Sequence, residues 1–174
     1  MKSFFDAETG DWFKPYMAHE LGHYYFGTYK RCNAELGDML SEGFAEFLSL
    51  KVAQNLIADT IYAGKLKEKM KSLAGFRPIP FSKIKTPNDY QDRELYVYYY
   101  APIIFSAIEK EIGQERMWKW IQLILNTPAD FTNYAFVTET LKTAINEPEL
   151  FKQVETTYLL SEDSMEHALN RLQQ

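Results

Sequence analysis

The sequence His-Glu-Leu-Gly-His at residues 19–23 constrains this 174-residue chain more than any other feature. Its two histidines are four residues apart, and residues at that spacing lie on one face of an α-helix, with Cβ atoms about 5–6 Å apart. A helix over this segment would allow His19 and His23 to bind one metal ion from the same side. Glu20 would lie next to a ligand but around the helix from the histidine face. There it could act as a general base without ligating.

A third ligand is predicted further along the chain. Glu42 follows the second histidine after eighteen intervening residues and lies in the segment Ser-Glu-Gly-Phe-Ala at residues 41–45. Catalytic zinc sites use three protein ligands and leave a fourth position for water, and two histidines with one glutamate are a known ligand set. The sequence therefore predicts one Zn²⁺ per chain, bound by His19, His23 and Glu42. The alternative is that the histidines are ordinary residues of an amphipathic helix and that Glu20 is a solvated charge.

Glu46 is a candidate partner for a ligating histidine. It lies four residues beyond Glu42, and so it would project from the same face of a second helix. Ligating histidines usually donate their second ring N–H to a carboxylate or a carbonyl. Glu46 is the nearest carboxylate in the sequence for this purpose, and the alternative is again a solvated charge.

The residues around the two motifs predict a pair of helices joined by a loop. Pro15 suits the first turn of the metal-binding helix, which we expect to run from there to about Phe26 and to end at Gly27. Asp38 is expected to cap the second helix, which places Glu42 near its start.

The paired motifs resemble those of the gluzincin zinc aminopeptidases, the family of aminopeptidase N and leukotriene hydrolase. In that family the histidine motif is followed, after the same interval, by a ligand glutamate in an Asn-Glu-Gly-Phe-Ala-like segment. This chain has Ser41 at the asparagine position, and residues 24–28 lack the tryptophan and asparagine of the family's aromatic run. The family's acidic residue about seven places after the ligand glutamate corresponds here to Ser49.

A second segment resembles the same family. Residues 98–113 are similar to its Tyr-x-Lys-Gly-Ala helix, although Tyr-Ala-Pro at 100–102 replaces Lys-Gly-Ala. Aligned on Glu109 and the Ile-Gly pair at 112–113, the resemblance puts Tyr98 at the catalytic tyrosine, whose hydroxyl stabilises the developing oxyanion. A shift of register would give this role to a neighbouring tyrosine, and the alternative is a helix whose tyrosine rings pack in the core. These neighbours are Tyr96, Tyr99 and Tyr100.

The resemblance implies hydrolysis of peptide bonds by a metal-activated water, in the manner of an aminopeptidase. It also implies a mainly α fold, equivalent to the helical half of a thermolysin-like catalytic domain. In the family a β-rich subdomain with a Gly-x-Met-x-Asn edge strand precedes the metal helix, and nothing like it occurs before His19. The expected partners are therefore a peptide substrate and an upstream β-rich subdomain of the parent protein. The alternative is a non-catalytic module in which zinc clamps two helices, or an inactive fragment that lacks the substrate-binding subdomain.

Composition restricts the remaining possibilities. With 46% apolar and 25% charged residues, we expect residues 1–174 to form one soluble domain. The net charge of −5 does not favour a nucleic-acid partner. A membrane span needs about eighteen apolar residues, and no apolar run comes close to this length. The N-terminus has no hydrophobic region typical of a signal peptide. Cys32 is the only cysteine, which excludes an internal disulfide.

The rest of the chain predicts further helices, because no strand-like alternation occurs. The helix with Tyr98 begins either near that residue, with Pro102 in its first turns, or at Arg93, with Pro102 as a kink. His167 has no metal-ligand spacing to other residues, and we expect it at the surface. The other expected segments are a leading segment at 1–13, a loop at 76–92, and helices at 59–74, 114–126, 148–160 and 162–173, with a further helix capped by Thr132 or Asn133 and ending near Ile145.

Overall fold

The computed structural model describes the backbone of residues 7–174. These residues form no strand, only one bridge between Phe26 and Lys30, so the mainly α fold class is confirmed. No helix in this range is long and apolar enough to cross a membrane. The α-helices are α1 (Ala7–Gly22), α2 (Phe44–Val52), α3 (Asp59–Ser72), α4 (Ala101–Ile112), α5 (Gln114–Asn126), α6 (Tyr134–Ile145), α7 (Pro148–Val154) and α8 (Ser164–Gln173).

The helix with His19 differs from its prediction at both ends. It begins at Ala7, so Pro15 lies inside it, and the leading segment predicted at 1–13 is wrong from Ala7 onward; residues 1–6 lie outside the described part of the chain. The prediction placed the start of this helix later because glycine and proline, which both occur in this segment, are poor helix formers. The helix ends at Gly22 rather than near Phe26, because the backbone N–H groups of the next three residues bond three residues back and tighten the turn.

The second helix is longer than α2 and has π-helical turns at both ends. It starts at Gly37 and passes through π-helical residues Met39–Gly43 before α2, and Ala53–Ile57 after it. Asp38 does not cap this helix, contrary to the prediction. Its backbone is helical and its carboxylate instead accepts a hydrogen bond from Nε of Arg93, at 2.6 Å.

The helix with Tyr98 begins at Arg93, which settles the alternative left open by the sequence. It passes through a π-helical turn over Leu95–Tyr100 and continues as α4. Pro102 follows this turn. Proline has no N–H to donate, so Pro102 interrupts the regular ladder of backbone hydrogen bonds. The π-helical turn, in which this ladder is rearranged, lies just before it.

The other predicted helices agree with the structure to within two residues at each end. Asn133, not Thr132, caps α6, because its side chain accepts a hydrogen bond from the N–H of Phe136 at 3.0 Å. The segment predicted at 148–160 comprises α7 and a π-helical continuation over Glu155–Leu160. The predicted loop at 76–92 contains two short 3₁₀ helices, Phe81–Lys83 and Pro87–Tyr90.

The hydrophobic core is built around α4, in which all residues from 101 to 108 are buried. Its Phe105 stacks on Phe44 of α2, with ring centroids 4.2 Å apart, and Phe44 stacks on Phe26 at 4.7 Å. Trp120 of α5 packs edge-on against Phe105 and Phe44. Since stacked and edge-on aromatic pairs are favourable beyond their buried area, this cluster fixes α2 against α4 and α5.

Candidate metal centre

The structure brings the three predicted ligands together at one point. Nε2 of His19 lies 3.2 Å from Nε2 of His23. Oε2 of Glu42 lies 3.4 Å from the first of these nitrogens and 3.3 Å from the second. Among the described residues these three side chains form the one group of histidine, cysteine and carboxylate ligand atoms that could hold a metal ion. His19, His23 and Glu42 thus each contribute one possible ligand atom to a single cluster.

Two glycines allow the helices to approach this closely. A Cβ atom added to Gly22 would lie 3.0 Å from the Cα atom of Ala45, so α1 and α2 cross with almost no side chain between them. A Cβ atom on Gly43 would lie 2.9 Å from Cβ of Ala101, at the start of α4. Both glycines are neighbours of predicted ligands in the sequence. Helix packing at these two points therefore determines how far apart the ligand atoms lie.

The local backbone around two site residues is π-helical. Glu42 lies in the turn over Met39–Gly43, and Tyr98 lies in the turn over Leu95–Tyr100. Single π-helical turns are uncommon and frequently occur at functional sites. Nothing in the apolar spacing of the sequence indicated them.

Glu46 lies where the sequence predicted a histidine partner. Its Oε1 is 2.9 Å from Nδ1 of His19, although this contact is too bent for a hydrogen bond of good geometry. Its Oε2 is in contact with the ammonium group of Lys69, at 2.5 Å. Glu46 is therefore a paired carboxylate between α1 and α3, and not a solvated charge.

The electrostatics of this pair follow from burial and charge. Burial raises the pKa of Glu46, but the contacts with His19 and Lys69 outweigh burial and lower the pKa to about 2. Burial lowers the pKa of His19, while the neighbouring Glu46 and Glu42 carboxylates raise it, with a net increase. Glu46 is thus ionised at neutral pH, and its negative charge, 2.9 Å from Nδ1 of His19, favours a hydrogen on that nitrogen.

His23 also has partners for its second ring nitrogen. Its Nδ1 lies 3.4 Å from the carbonyl oxygen of Phe26 and 3.4 Å from Oγ of Ser41. The Ser41 hydroxyl donates to the same carbonyl at 3.2 Å. Ser41 occupies the position of the asparagine in the resembled family, and its role beside His23 was not predicted from the sequence. Ser49, at the family's acidic position, is buried.

Tyr98 lies beside the ligand cluster. Its ring centroid lies 6.0 Å from that of His19, and its hydroxyl interacts with Arg93 and with Glu42. Burial raises its pKa, the Arg93 cation lowers it and Glu42 raises it, with a net increase that keeps the hydroxyl protonated.

The neighbouring tyrosines point elsewhere. The Tyr96 hydroxyl donates to the carbonyl of Ile79, and the Tyr100 hydroxyl bonds with Ser164, both in the core. The Tyr99 ring lies under the ammonium group of Lys69, 5.1 Å from the centroid.

Arg93 is a cation beside the cluster that sequence reasoning did not identify. Its Nη2 lies 3.7 Å from Oε1 of Glu42, and its guanidinium group lies 5.9 Å from the centre of the Tyr98 ring. The hydrogen bond to Asp38 holds it in place and raises its pKa. It thus links the starts of the Glu42 and Tyr98 helices.

The remaining predicted residues lie outside the cluster. Glu20 is exposed and forms a hydrogen bond with Tyr16 one turn earlier, which raises the pKa of the tyrosine. His167 is exposed on α8, as expected. Cys32 contacts the Lys30 carbonyl, and burial raises its pKa to about 11.

Comparison of the chain with protein-family models, with curated proteins and with solved structures found no match. The resemblance to the zinc aminopeptidases therefore rests on the motif residues alone.

Proposed function

We propose that this chain is a zinc-dependent peptidase that hydrolyses peptide bonds by means of a metal-activated water, in the manner of an aminopeptidase. The observation that carries the proposal is the triangle formed by Nε2 of His19, Nε2 of His23 and Oε2 of Glu42, with sides of 3.2–3.4 Å. Ligand atoms about 2.0–2.1 Å from a tetrahedral zinc ion lie about 3.3–3.4 Å from one another. The donor set and its spacing both fit zinc.

The imidazole partners support the same assignment. A carboxylate lies beside Nδ1 of His19, and a carbonyl and a hydroxyl lie beside Nδ1 of His23. These partners favour the neutral tautomers that carry the hydrogen on Nδ1. The Nε2 atoms then keep their lone pairs for a metal ion. This arrangement, in which the second ring nitrogen has its own partner, is usual for metal-binding histidines.

The proposed mechanism assigns roles to Glu20, Tyr98 and Arg93. When bound, zinc supplies a water of lowered pKa, about 7, and polarises the substrate carbonyl. Glu20 takes the proton of the attacking water and passes it to the leaving amine. The Tyr98 hydroxyl donates a hydrogen bond to the developing oxyanion, and Arg93 adds a positive charge beside it.

The test combines metal content with peptide hydrolysis. We expect the purified chain to bind one zinc ion and to cleave short peptides with a free N-terminus faster than the same peptides with a blocked one. Removal of zinc by a chelator should abolish cleavage, and addition of zinc should restore it. His23→Ala should bind less zinc and lose activity in parallel.

The same assays separate the peptidase from the structural alternative. One zinc ion per chain without cleavage of any peptide would favour the module in which zinc clamps α1 to the Glu42 helix. A chain that binds no zinc would contradict both. Equal cleavage of free and blocked peptides would support a peptidase but contradict the aminopeptidase-like specificity.

A further inference from the structure

Lys69 on α3 joins two parts of the metal centre. Its ammonium group contacts Oε2 of Glu46, whose other oxygen lies beside His19. It also donates a hydrogen bond to the carbonyl oxygen of Tyr98, at 2.7 Å. One cation thus contacts both the partner of a ligand histidine and the backbone of the site tyrosine.

The environment of Lys69 is unusual for a lysine. Only 8% of the residue is exposed, and its ammonium group lies 5.1 Å from the centre of the Tyr99 ring. A buried ammonium group is costly unless it is paired and hydrogen-bonded. Here a carboxylate, a carbonyl and an aromatic ring surround it, so its position is fixed by three partners.

The Tyr98 carbonyl lies in the π-helical turn just before Pro102. Because proline has no N–H, the backbone ladder of this segment lacks one donor. Lys69 supplies a side-chain donor to the Tyr98 carbonyl within this rearranged turn. The lysine therefore stabilises the helix segment from which the Tyr98 ring reaches the ligand cluster.

We propose that Lys69 is a positioning residue of the metal centre, an inference that rests on the proposed zinc site. It holds the Glu46 carboxylate against Nδ1 of His19, and through the Tyr98 carbonyl it fixes the tyrosine segment relative to the same histidine. It touches neither the metal ligands nor the substrate itself. Its effect on the site is transmitted through Glu46 and Tyr98.

Lys51 on α2 provides a matched control. It is also 8% exposed, and its ammonium group pairs with Glu109 at 2.9 Å and with Gln54 at 2.7 Å. It contacts none of the ligand-cluster residues. Lys51→Met therefore removes a buried, paired lysine of the same kind without touching the partner of a ligand histidine.

The test is a competition titration of zinc against a chromophoric chelator, on folded protein verified by circular dichroism. Outer partners of metal ligands typically contribute about 10–100-fold to metal affinity. We expect Lys69→Met to weaken zinc binding within that range and Lys51→Met to change it by less than about twofold. The visible absorption of the cobalt-substituted chain, which reports ligand geometry, should change in Lys69→Met and not in Lys51→Met.

A double-mutant cycle with Glu46→Gln tests whether the lysine acts through the carboxylate. The double variant leaves no unpaired buried charge, so it remains informative if Lys69→Met alone does not fold. We expect the double variant to bind zinc as Glu46→Gln does, because both residues act in one chain of contacts. Parent-like zinc affinity in Lys69→Met, or fully additive losses in the double variant, would overturn the inference. Failure of the parent chain to bind zinc would instead overturn the proposed function.

Discussion

Each ligand histidine of the proposed site has a different kind of partner for its second ring nitrogen. Nδ1 of His19 faces the ionised Glu46 carboxylate, while Nδ1 of His23 faces the neutral carbonyl of Phe26 and the Ser41 hydroxyl. A carboxylate partner increases the basicity of an imidazole more than a neutral partner does. We therefore expect His19 to be the stronger of the two nitrogen ligands.

Tyr98 allows a prediction that separates catalysis from metal binding. Its hydroxyl is the group proposed to stabilise the oxyanion, and loss of one such donor typically costs about 10²–10³-fold in kcat. We expect Tyr98→Phe to show a loss of this order, with a much smaller change in zinc affinity. Steady-state kinetics and a zinc titration measure the two effects.

Tyr99→Phe is the matched control, since Tyr99 lies on the same turn as Tyr98 but its ring packs against Lys69 on α3. It should keep the parent kcat. A parent-like kcat in Tyr98→Phe would contradict the assignment of this tyrosine.

At the residue scale, the sequence predicted what depends on local spacing. The two histidines were predicted to lie on one helical face, and their Nε2 atoms lie 3.2 Å apart. Lys69 and Arg93 could not be identified in the same way. Their contacts with Glu46 and Asp38 join residues 23 and 55 positions apart in the sequence, and such contacts depend on how the helices pack.

The helices that carry the site are held together by close backbone approach. The Gly43 position lies between Glu42 and the start of α4, where an added Cβ would be 2.9 Å from Cβ of Ala101 and 3.1 Å from the Phe105 ring. Helix α4 is buried along most of its length and cannot move easily. A side chain at this position would therefore shift the turn that presents Glu42.

Gly43→Ala tests this packing. Overpacking of a dense core typically costs about 1–3 kcal/mol, and we expect a loss of unfolding free energy in this range together with weaker zinc binding. Chemical denaturation and a zinc titration measure the two quantities.

Ala101→Gly in the same chain removes the opposing methyl group and should restore part of both losses. Parent-like stability and zinc affinity in Gly43→Ala would show that the turn is not fixed by this contact.

At the element scale, the sequence predicted which segments are helical better than where they begin. Both ends of α5, Gln114 and Asn126, were predicted, because Gly113 precedes it and the Thr-Pro pair at 127–128 follows it. The π-helical turns at Glu42 and Tyr98 were not predicted. Their backbone hydrogen bonds shift by one residue within an otherwise helical segment, and this shift leaves no mark in composition.

The whole molecule should become more stable when it binds zinc. The ligands come from two segments that are far apart in the unfolded chain, so the ion binds the folded state preferentially. A ligand at 100 times its Kd adds about 2.7 kcal/mol, and each 1 kcal/mol raises Tm by about 2–4 °C in a domain of this size. We therefore expect Tm to increase by about 5–11 °C with zinc at this concentration.

Thermal unfolding with and without zinc measures this shift. His23→Ala serves as the control and should show a much smaller increase. The same increase in that variant would place the stabilising zinc elsewhere in the chain.

The most direct test of the central claim is the rate of peptide hydrolysis by the zinc-loaded Glu20→Gln chain. Glutamine keeps the size of the side chain but cannot accept the proton, and a general base typically contributes about 10²–10⁴-fold. Glu166→Gln, which changes an exposed glutamate on α8, is the control. We predict that Glu20→Gln retains one zinc ion and loses hydrolysis by at least the lower of these factors, while the control keeps the parent rate. Hydrolysis by Glu20→Gln at the parent rate would contradict the proposed mechanism.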